Sequence, residues 1–279
     1  MIVAGKYRFL LLCLGAFLFP QQFACAQGMP AFQGKRVALT EKPRISGESR
    51  TFQCEWQRKT ELLRKDMYDR YPNMHRKERI SISHSAGETI ITHSGTGTFE
   101  DFATKAVIFN NAIQFDTPPL TASAEKKLFL FGRAAAAVLG YWSIAERPAM
   151  QGSQSSIPAW GDPVFVSAVS AVVGPKKAEE LLELEVSGID MVELSFAEEK
   201  NGYLQEGNRS VTSRCTLNKR WAKEECVVNA LGWTLYDRET GLVIEQDMVY
   251  TLLTGDGLSS RVAATWREKL ACQRAPSQQ

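Results

Sequence analysis

The stretch GWTLYDRETGLVIEQDMVYTLLTGDG, Gly232 to Gly257, decides the fold class. Its flanks "WTLY" and "LVIE" are half-apolar strand segments on either side of a turn. Asp237 can bond ahead to the backbone and start that turn. Gly241 can take the left-handed conformation that closes it. Gly255 and Gly257 bracket the next reversal. Asp237, Glu239 and Asp256 are carboxylates of the kind used in hydrolysis or calcium binding. Turn chemistry accounts for each of them, so the element reads as scaffold.

Working outward, the same period-two pattern recurs. In "RISISHSAGETIITHSG", Ile80 and Ile82 alternate with Ser81 and Ser83, and Ala86-Gly87 can make the turn of a hairpin. "AVIFNNAIQF" is a second hairpin with Asn110-Asn111 at its tip, because Asn tolerates the positive φ of a primed turn. Residues 150–162 read as a Gly/Ser/Pro-rich loop. "VFVSAVSAVV" follows, then "LLELEVSG" with Leu182, Leu184 and Val186 on one face. "DMVELSFAEE" repeats the pattern with Val192, Leu194 and Phe196. "EEKNGYLQEGNRS" reads as a turn region around Asn201-Gly202. Three long strands pass through Cys215, Trp233 and Met248, and a last strand or short helix runs through Val262 and Trp266. Nearer the N-terminus, "TFQCEW" is a short strand. "TELLRKDMYDRY" reads as a surface helix with Leu62, Leu63 and Met67 turned inward. No self-similarity at 20–50 residues appears, which argues against a solenoid or propeller.

One segment breaks the strand pattern. "SAEKKLFLFGRAAAAVLGYWSIAERP" reads as a long helix from Ser123 to Arg147, capped by Ser123 and stopped by Pro148. Gly132, Ala136 and Gly140 recur every fourth residue and form a stripe that lets another backbone approach. Lys126 and Lys127 precede the apolar part and Arg133 interrupts it. A central Arg costs roughly 3 kcal/mol in a membrane, so the helix is expected against the domain's own sheet. The resulting expectation is an α+β fold. A curved, mostly antiparallel β-sheet, a half-barrel or open barrel, packs against one long apolar helix. In fold class this shape resembles bacterial lipid-carrier half-barrels, without any shared motif.

The first residues carry the three parts of a secretory signal peptide. Lys6 and Arg8 are the basic region, Phe9 to Phe19 the apolar run, and "ACA", Ala24 to Ala26, the cleavage site. The expected division is a signal peptide at 1–26 and a single exported domain at 27–279, with an irregular arm at 27–49. Export makes the mature chain periplasmic or secreted, with no transmembrane segment. Lipidation at Cys25 is the rival processing route, and "QFA" before it matches the usual lipoprotein pattern poorly. The whole chain has 33 Lys+Arg and 31 Asp+Glu. Removing Lys6 and Arg8 leaves it formally neutral, so charge gives no argument for nucleic acid as partner. Between residues 50 and 79 the basic excess reads as a solvated face, with Glu61, Asp66, Asp69 and Glu78 interspersed.

Four cysteines remain after the leader: Cys54, Cys215, Cys226 and Cys272. An even count in an exported chain favours disulfides. A hairpin centred between Arg220 and Trp221 sets Cys215 opposite Cys226, within disulfide reach. Cys54 then pairs with Cys272. Zinc is disfavoured, since no CxxC pair exists and no His lies near a Cys.

Catalytic constellations are absent from the sequence. The histidines are His75, His84 and His93. In a two-residue-turn register His84 faces Thr89 and His93 faces Ile80, so the two imidazoles sit ~13 Å apart along the strands and one metal cannot join them. No GxSxG, HExxH, P-loop or dinucleotide fingerprint appears. Asn208-Arg209-Ser210 has the form of a glycosylation acceptor. The sequence assigns no catalytic, metal or ligand-binding residue and implies no cofactor. The leading expectation is a non-catalytic binding or envelope protein for an apolar small molecule or an envelope protein partner. A carboxylate-based secreted hydrolase and a structural envelope component without a small ligand stay open beside it.

Overall fold

The computed structural model describes residues 30–38, 44–63, 73–98, 101–109, 112–116, 186–199, 202–215, 224–255 and 261–276, together with Leu130, Arg133, Ala137, Val138 and Tyr141. The strands are β1 (Arg36–Ala38), β2 (Arg50–Leu63), β3 (Met74–Ser85), β4 (Glu88–Gly97), β5 (Phe102–Phe109), β6 (Ala112–Asp116), β7 (Val186–Glu199), β8 (Gly202–Cys215), β9 (Glu224–Asp237), β10 (Val243–Thr254) and β11 (Arg261–Arg274). They form one sheet in the order β1-β7-β8-β9-β10-β11-β2-β3-β4-β5-β6. Two meanders, β2 to β6 and β7 to β11, therefore meet at a single seam where β11 pairs antiparallel with β2.

Local turn chemistry fixes the meanders. Ala86 and Gly87 have φ of 49° and 83°, the pair of positive values that a type I′ turn demands. The ladder closes around them from Ser85 opposite Glu88 to Ile80 opposite His93, as the sequence predicts. Phe109 opposite Ala112 likewise leaves Asn110 and Asn111 as the two linking residues of β5 and β6.

The Asp237 turn also follows its sequence signature. Asp237 Oδ2 accepts the N–H of Glu239 at 3.2 Å, the N–H of Thr240 at 2.9 Å and the Thr240 hydroxyl at 2.8 Å. Gly241 has φ of 72° and its N–H donates to the Asp237 carbonyl at 2.8 Å. Asp237 Oδ1 accepts from Arg274 Nη2 at 2.9 Å, which ties the turn to the end of β11. A Cβ at Gly241 would lie 2.5 Å from Ile45 Cδ1 and 3.3 Å from the Tyr141 ring. Gly241→Val is expected to cost about 1–3 kcal/mol from backbone strain alone, with the clash adding to it. Asp237→Ala leaves buried donors unpaired and is expected to cost about 1–3 kcal/mol. Urea midpoints measure both, and an unchanged midpoint for either variant would refute the scaffold reading of this turn.

Alternation builds the core. On β3, Met74, Arg76, Glu78, Ile80 and Ile82 are buried, while His75, Lys77 and Arg79 between them are exposed. Phe52, Cys54 and Trp56 of β2 meet Ile80, Ile82, Ile91, Ala106 and Ile108 of the following strands and Leu270 of β11. A second group gathers Leu252, Ala263, Ala264 and Trp266, with Tyr250 and Val228 against it. Burying such side chains contributes roughly 1.5–3 kcal/mol each before entropy is charged.

Several expectations are corrected. The α+β architecture packed against one long apolar helix is not what the structure shows. The described part is mostly antiparallel sheet, 75% strand, with no helix element. The helical reading rested on local periodicity, whereas ten antiparallel strand pairings, eight of them between consecutive strands, set the fold class. Of residues 123–147 only five are described, among which Ala137, Val138 and Tyr141 belong to the core around Trp56. Gly132, Ala136 and Gly140 lie outside the described residues, as do 1–29, the loop at 150–162 and "VFVSAVSAVV". Thr60 to Leu63, expected to begin a helix, instead finish β2, where Leu62 and Thr60 pair with Thr265 and Trp266 of β11. The turn expected over "EEKNGYLQEGNRS" shrinks to two residues, since Glu199 already pairs with Gly202. The arm is not wholly irregular. Its β1 pairs with β7, and its Arg44 N–H and carbonyl are both bonded to the Tyr203 hydroxyl, at 2.9 and 2.7 Å.

Candidate functional site

Cys54 and Cys272 stand directly opposite each other across the β2–β11 seam and are bonded, as expected. For the other two cysteines the register differs from the expected one. Cys226 faces Ser213 and Cys215 faces Glu224, which makes the two cysteines diagonal neighbours on one face. The long β8–β9 ladder, anchored by Leu204 opposite Leu235, sets that register, not direct opposition of the thiols.

The chemically distinctive feature of the described structure is a buried charged network beside the seam. It grows from strand parity. Arg58 continues the inward set Phe52, Cys54, Trp56. Arg76 and Glu78 share parity with Ile80 and Ile82. His93 follows Ile91 on β4, and Glu268 lies between Trp266 and Leu270 on β11. Arg133 reaches the same place from the segment between the meanders. Its Nε and Nη2 donate to Glu78 Oε1 and Oε2 at 3.2 and 2.8 Å. His93 Nε2 lies 3.2 Å from Glu78 Oε2, and His93 is 2% exposed. Arg76 donates to the Thr98 carbonyl and sits 5.1 Å over the Phe102 ring.

A second ion pair adjoins the first. Glu268 Oε1 accepts from Arg58 Nε at 2.9 Å, from Arg58 Nη2 at 2.6 Å and from Trp266 Nε1 at 3.1 Å. Trp56 lies between the two pairs, 4.5 Å from the Arg133 guanidinium carbon and 5.4 Å from that of Arg58. Trp266 stacks on Tyr250 with centroids 5.2 Å apart and planes 5° off parallel. The solvated-face reading of residues 50–79 is thus corrected at Arg58, Arg76 and Glu78. Opposite charge and aromatic faces compensate their desolvation.

These contacts set the titration of the site. Burial pushes the Glu78 carboxyl up, but the Arg133 guanidinium and the His93 ring outweigh it and hold it well below the usual carboxylate range. Burial lowers Arg133, and the facing Glu78 overrides this and raises it. Burial is also the main cause of the lowered Arg76 value. A general acid for glycoside or ester chemistry needs a raised carboxyl pKa. Glu78 is shifted the opposite way, and Glu268 has one oxygen engaged by three donors. Both are suited to fixing charges rather than to moving protons.

His84 and His93 occupy the register expected for them, opposite Thr89 and Ile80. His84 Nδ1 is 3.0 Å from Thr89 Oγ1, and burial lowers its pKa from 6.5. Among the described residues no group of three His, Cys, Asp or Glu side chains could hold a metal ion.

The lowered values of Glu78 and His84 predict an acid-side loss of stability. In each case the unfolded chain binds the proton more readily. The His84 contribution is complete above pH 6.5 and is lost as pH falls through its lower folded value. That of Glu78 is complete above 4.5 and is lost as pH falls further. Melting temperature is expected to fall on acidification and to steepen below pH 4.5. Glu78→Gln should lose part of the lower limb and keep the upper one. An identical acid limb in the variant would refute the assignment.

No family model matches the chain, and no curated protein matches it either. No helix among the described residues is long and apolar enough to cross a membrane. The Cys54–Cys272 disulfide is compatible with an extracellular location.

Proposed function

We propose that the protein is an exported, non-catalytic binding protein whose ligand is an apolar small molecule held against the buried face of the sheet. The observation that carries this reading is the composition of that face. Leu252, Ala264 and Trp266, with Tyr250 against them, form one apolar and aromatic group on it, and Trp56, Ile80 and Ile91 belong to another. Sites for small apolar ligands are lined this way, with a few fixed polar groups to orient the guest. The Glu78–Arg133 and Arg58–Glu268 pairs supply such groups. The low carboxyl pKa of Glu78 weighs against the carboxylate hydrolase. Signal-peptide cleavage near Ala26, and with it a periplasmic or secreted destination for a domain at 27–279, belongs to the same proposal, as does a second disulfide between Cys215 and Cys226.

A dansyl-labelled acyl probe tests the reading. Full exported protein is expected to bind it saturably with a blue-shifted emission, and unlabelled dodecanol should displace it. Linear, non-saturable partitioning, equal to that of an unrelated β-sheet protein, would refute the proposal.

A further inference from the structure

The two ends of the sheet are β1 and β6, and the β1 end covers its neighbour only in part. β1 pairs with β7 from Arg36 opposite Glu199 to Ala38 opposite Ala197. β7 extends back to Val186, and from Met191 to Phe196 it pairs residue by residue with β8. Along Met191–Phe196 no strand lies on the side away from β8 among the described residues. An uncovered edge presents a row of backbone N–H and C=O groups, a template for another strand. This stretch lacks the usual blocks, since it has no Pro and no Lys and its register shifts lie before Met191. β1 itself is lightly held, because Val37 at its centre is 60% exposed.

Charge decides what can be added there. β7 holds Asp190, Glu193, Glu198 and Glu199 and no Lys or Arg. Opposite Met191–Phe196, β8 places Glu206 and Arg209, which cancel. The strand that does pair with this edge is basic, with Arg36 opposite Glu199 and Lys35 before it. A second copy of the chain is a poor occupant. Its β7 would set acid against acid, and β6, at the other end of the sheet, carries Asp116 and no base. Like charges on facing strands are destabilising. Parity adds a second requirement, because Val192, Leu194 and Phe196 share one face of the strand and Glu193, Ser195 and Ala197 the other. We propose that the Met191–Phe196 edge of β7 is a strand-addition site for a basic, extended segment of a partner protein, in which Lys or Arg alternates with apolar residues. In such pairing main-chain bonds supply affinity and alternate side chains supply specificity. β1 holds the adjoining places and sets the antiparallel direction. The site is independent of the apolar ligand proposed for the buried face.

The test offers the full chain a fluorescein-labelled octapeptide of alternating Lys and Val. The controls are an alternating Glu-Val octapeptide and the Lys-Val peptide N-methylated at every second residue, which keeps the charge and removes the donors that strand pairing needs. The Lys-Val peptide is expected to bind saturably. It should slow exchange of the Met191–Phe196 amides that point away from β8 by about tenfold or more, and the Glu-Val peptide should bind about tenfold more weakly. The methylated peptide should protect none of these amides. Glu193→Lys with Glu198→Lys should reverse the preference between the two charge types. Failure of the Lys-Val peptide to bind would overturn the inference. Equal binding of its methylated form would do the same, since charge alone would then be at work. Full protection of those amides in the free monomer would also overturn it, by making the occupant a segment of the chain itself. Their protection in a dimer would make the occupant a second copy. Should the double lysine variant not fold, the comparison of the three peptides on the wild-type protein decides the matter.

Discussion

Glu78→Ala is expected to destabilise the protein by about 3–5 kcal/mol, because it leaves the Arg133 guanidinium buried without its counter-charge. The two side chains are joined by two hydrogen bonds, and Glu78 has no exposed side-chain surface. Against a typical domain stability of about 5–15 kcal/mol, such a loss removes a large share of it. The second half of the prediction separates a broken pair from a lost shape. Replacing both partners by apolar groups, Glu78→Leu with Arg133→Met, should recover most of the loss, since a buried ion pair is worth little net against good packing. Urea denaturation of the two single variants and the double variant gives the coupling directly. Additive losses would show that Glu78 and Arg133 do not act on each other.

The second large effect is expected at the seam. Cys54→Ala with Cys272→Ala removes a crosslink between residues 218 apart in sequence. The chain-entropy relation for so long a loop gives about 5 kcal/mol. The bond also sits where the two meanders meet, beside the Arg58–Glu268 pair. Its loss therefore falls on the strand pairing that joins the two meanders among the described residues. The urea midpoint of the double alanine variant should drop sharply. Amide exchange should rise first in β2 and β11, and later in hairpins such as β3–β4 that their own turns close. Uniform acceleration across all strands would contradict the seam account.

The contrast between seam and hairpins explains what could be read from the chain. Ala86-Gly87, Asn110-Asn111 and the Asp237 turn were legible because a turn is written in two to five adjacent residues. Once the turn is fixed, register follows from counting. The β2–β11 pairing has no local signature. Only the cysteine count hinted at it, and it turned a supposed helix start at Thr60 into the end of a strand. The Cys215–Cys226 register failed for a related reason. The linking segment "NKRWAKE" has no tight-turn motif to fix its centre, and a shift of that centre by one residue moves every partner by two.

The buried network was missed because charge was read as exposure. "MHRKERISIS" looks like a solvated run until its parity is followed. Arg76 and Glu78 then fall in line with Ile80 and Ile82, just as Arg58 falls in line with Phe52, Cys54 and Trp56. That signal lies in the sequence, but it becomes decisive only if the strand is known to extend through the charges. Their partners, Arg133 and Glu268, come from segments roughly 50 to 200 positions away, which no local pattern encodes.

The most direct test of the account is mass spectrometry of what the protein carries. The chain should be isolated from the cells that produce it, without detergent, and its organic extract compared with that of Glu78→Leu/Arg133→Met. The account predicts a near-stoichiometric apolar molecule in the wild-type extract. Wild-type protein that is correctly folded and disulfide-bonded, carries no apolar molecule and takes none up when offered would contradict it.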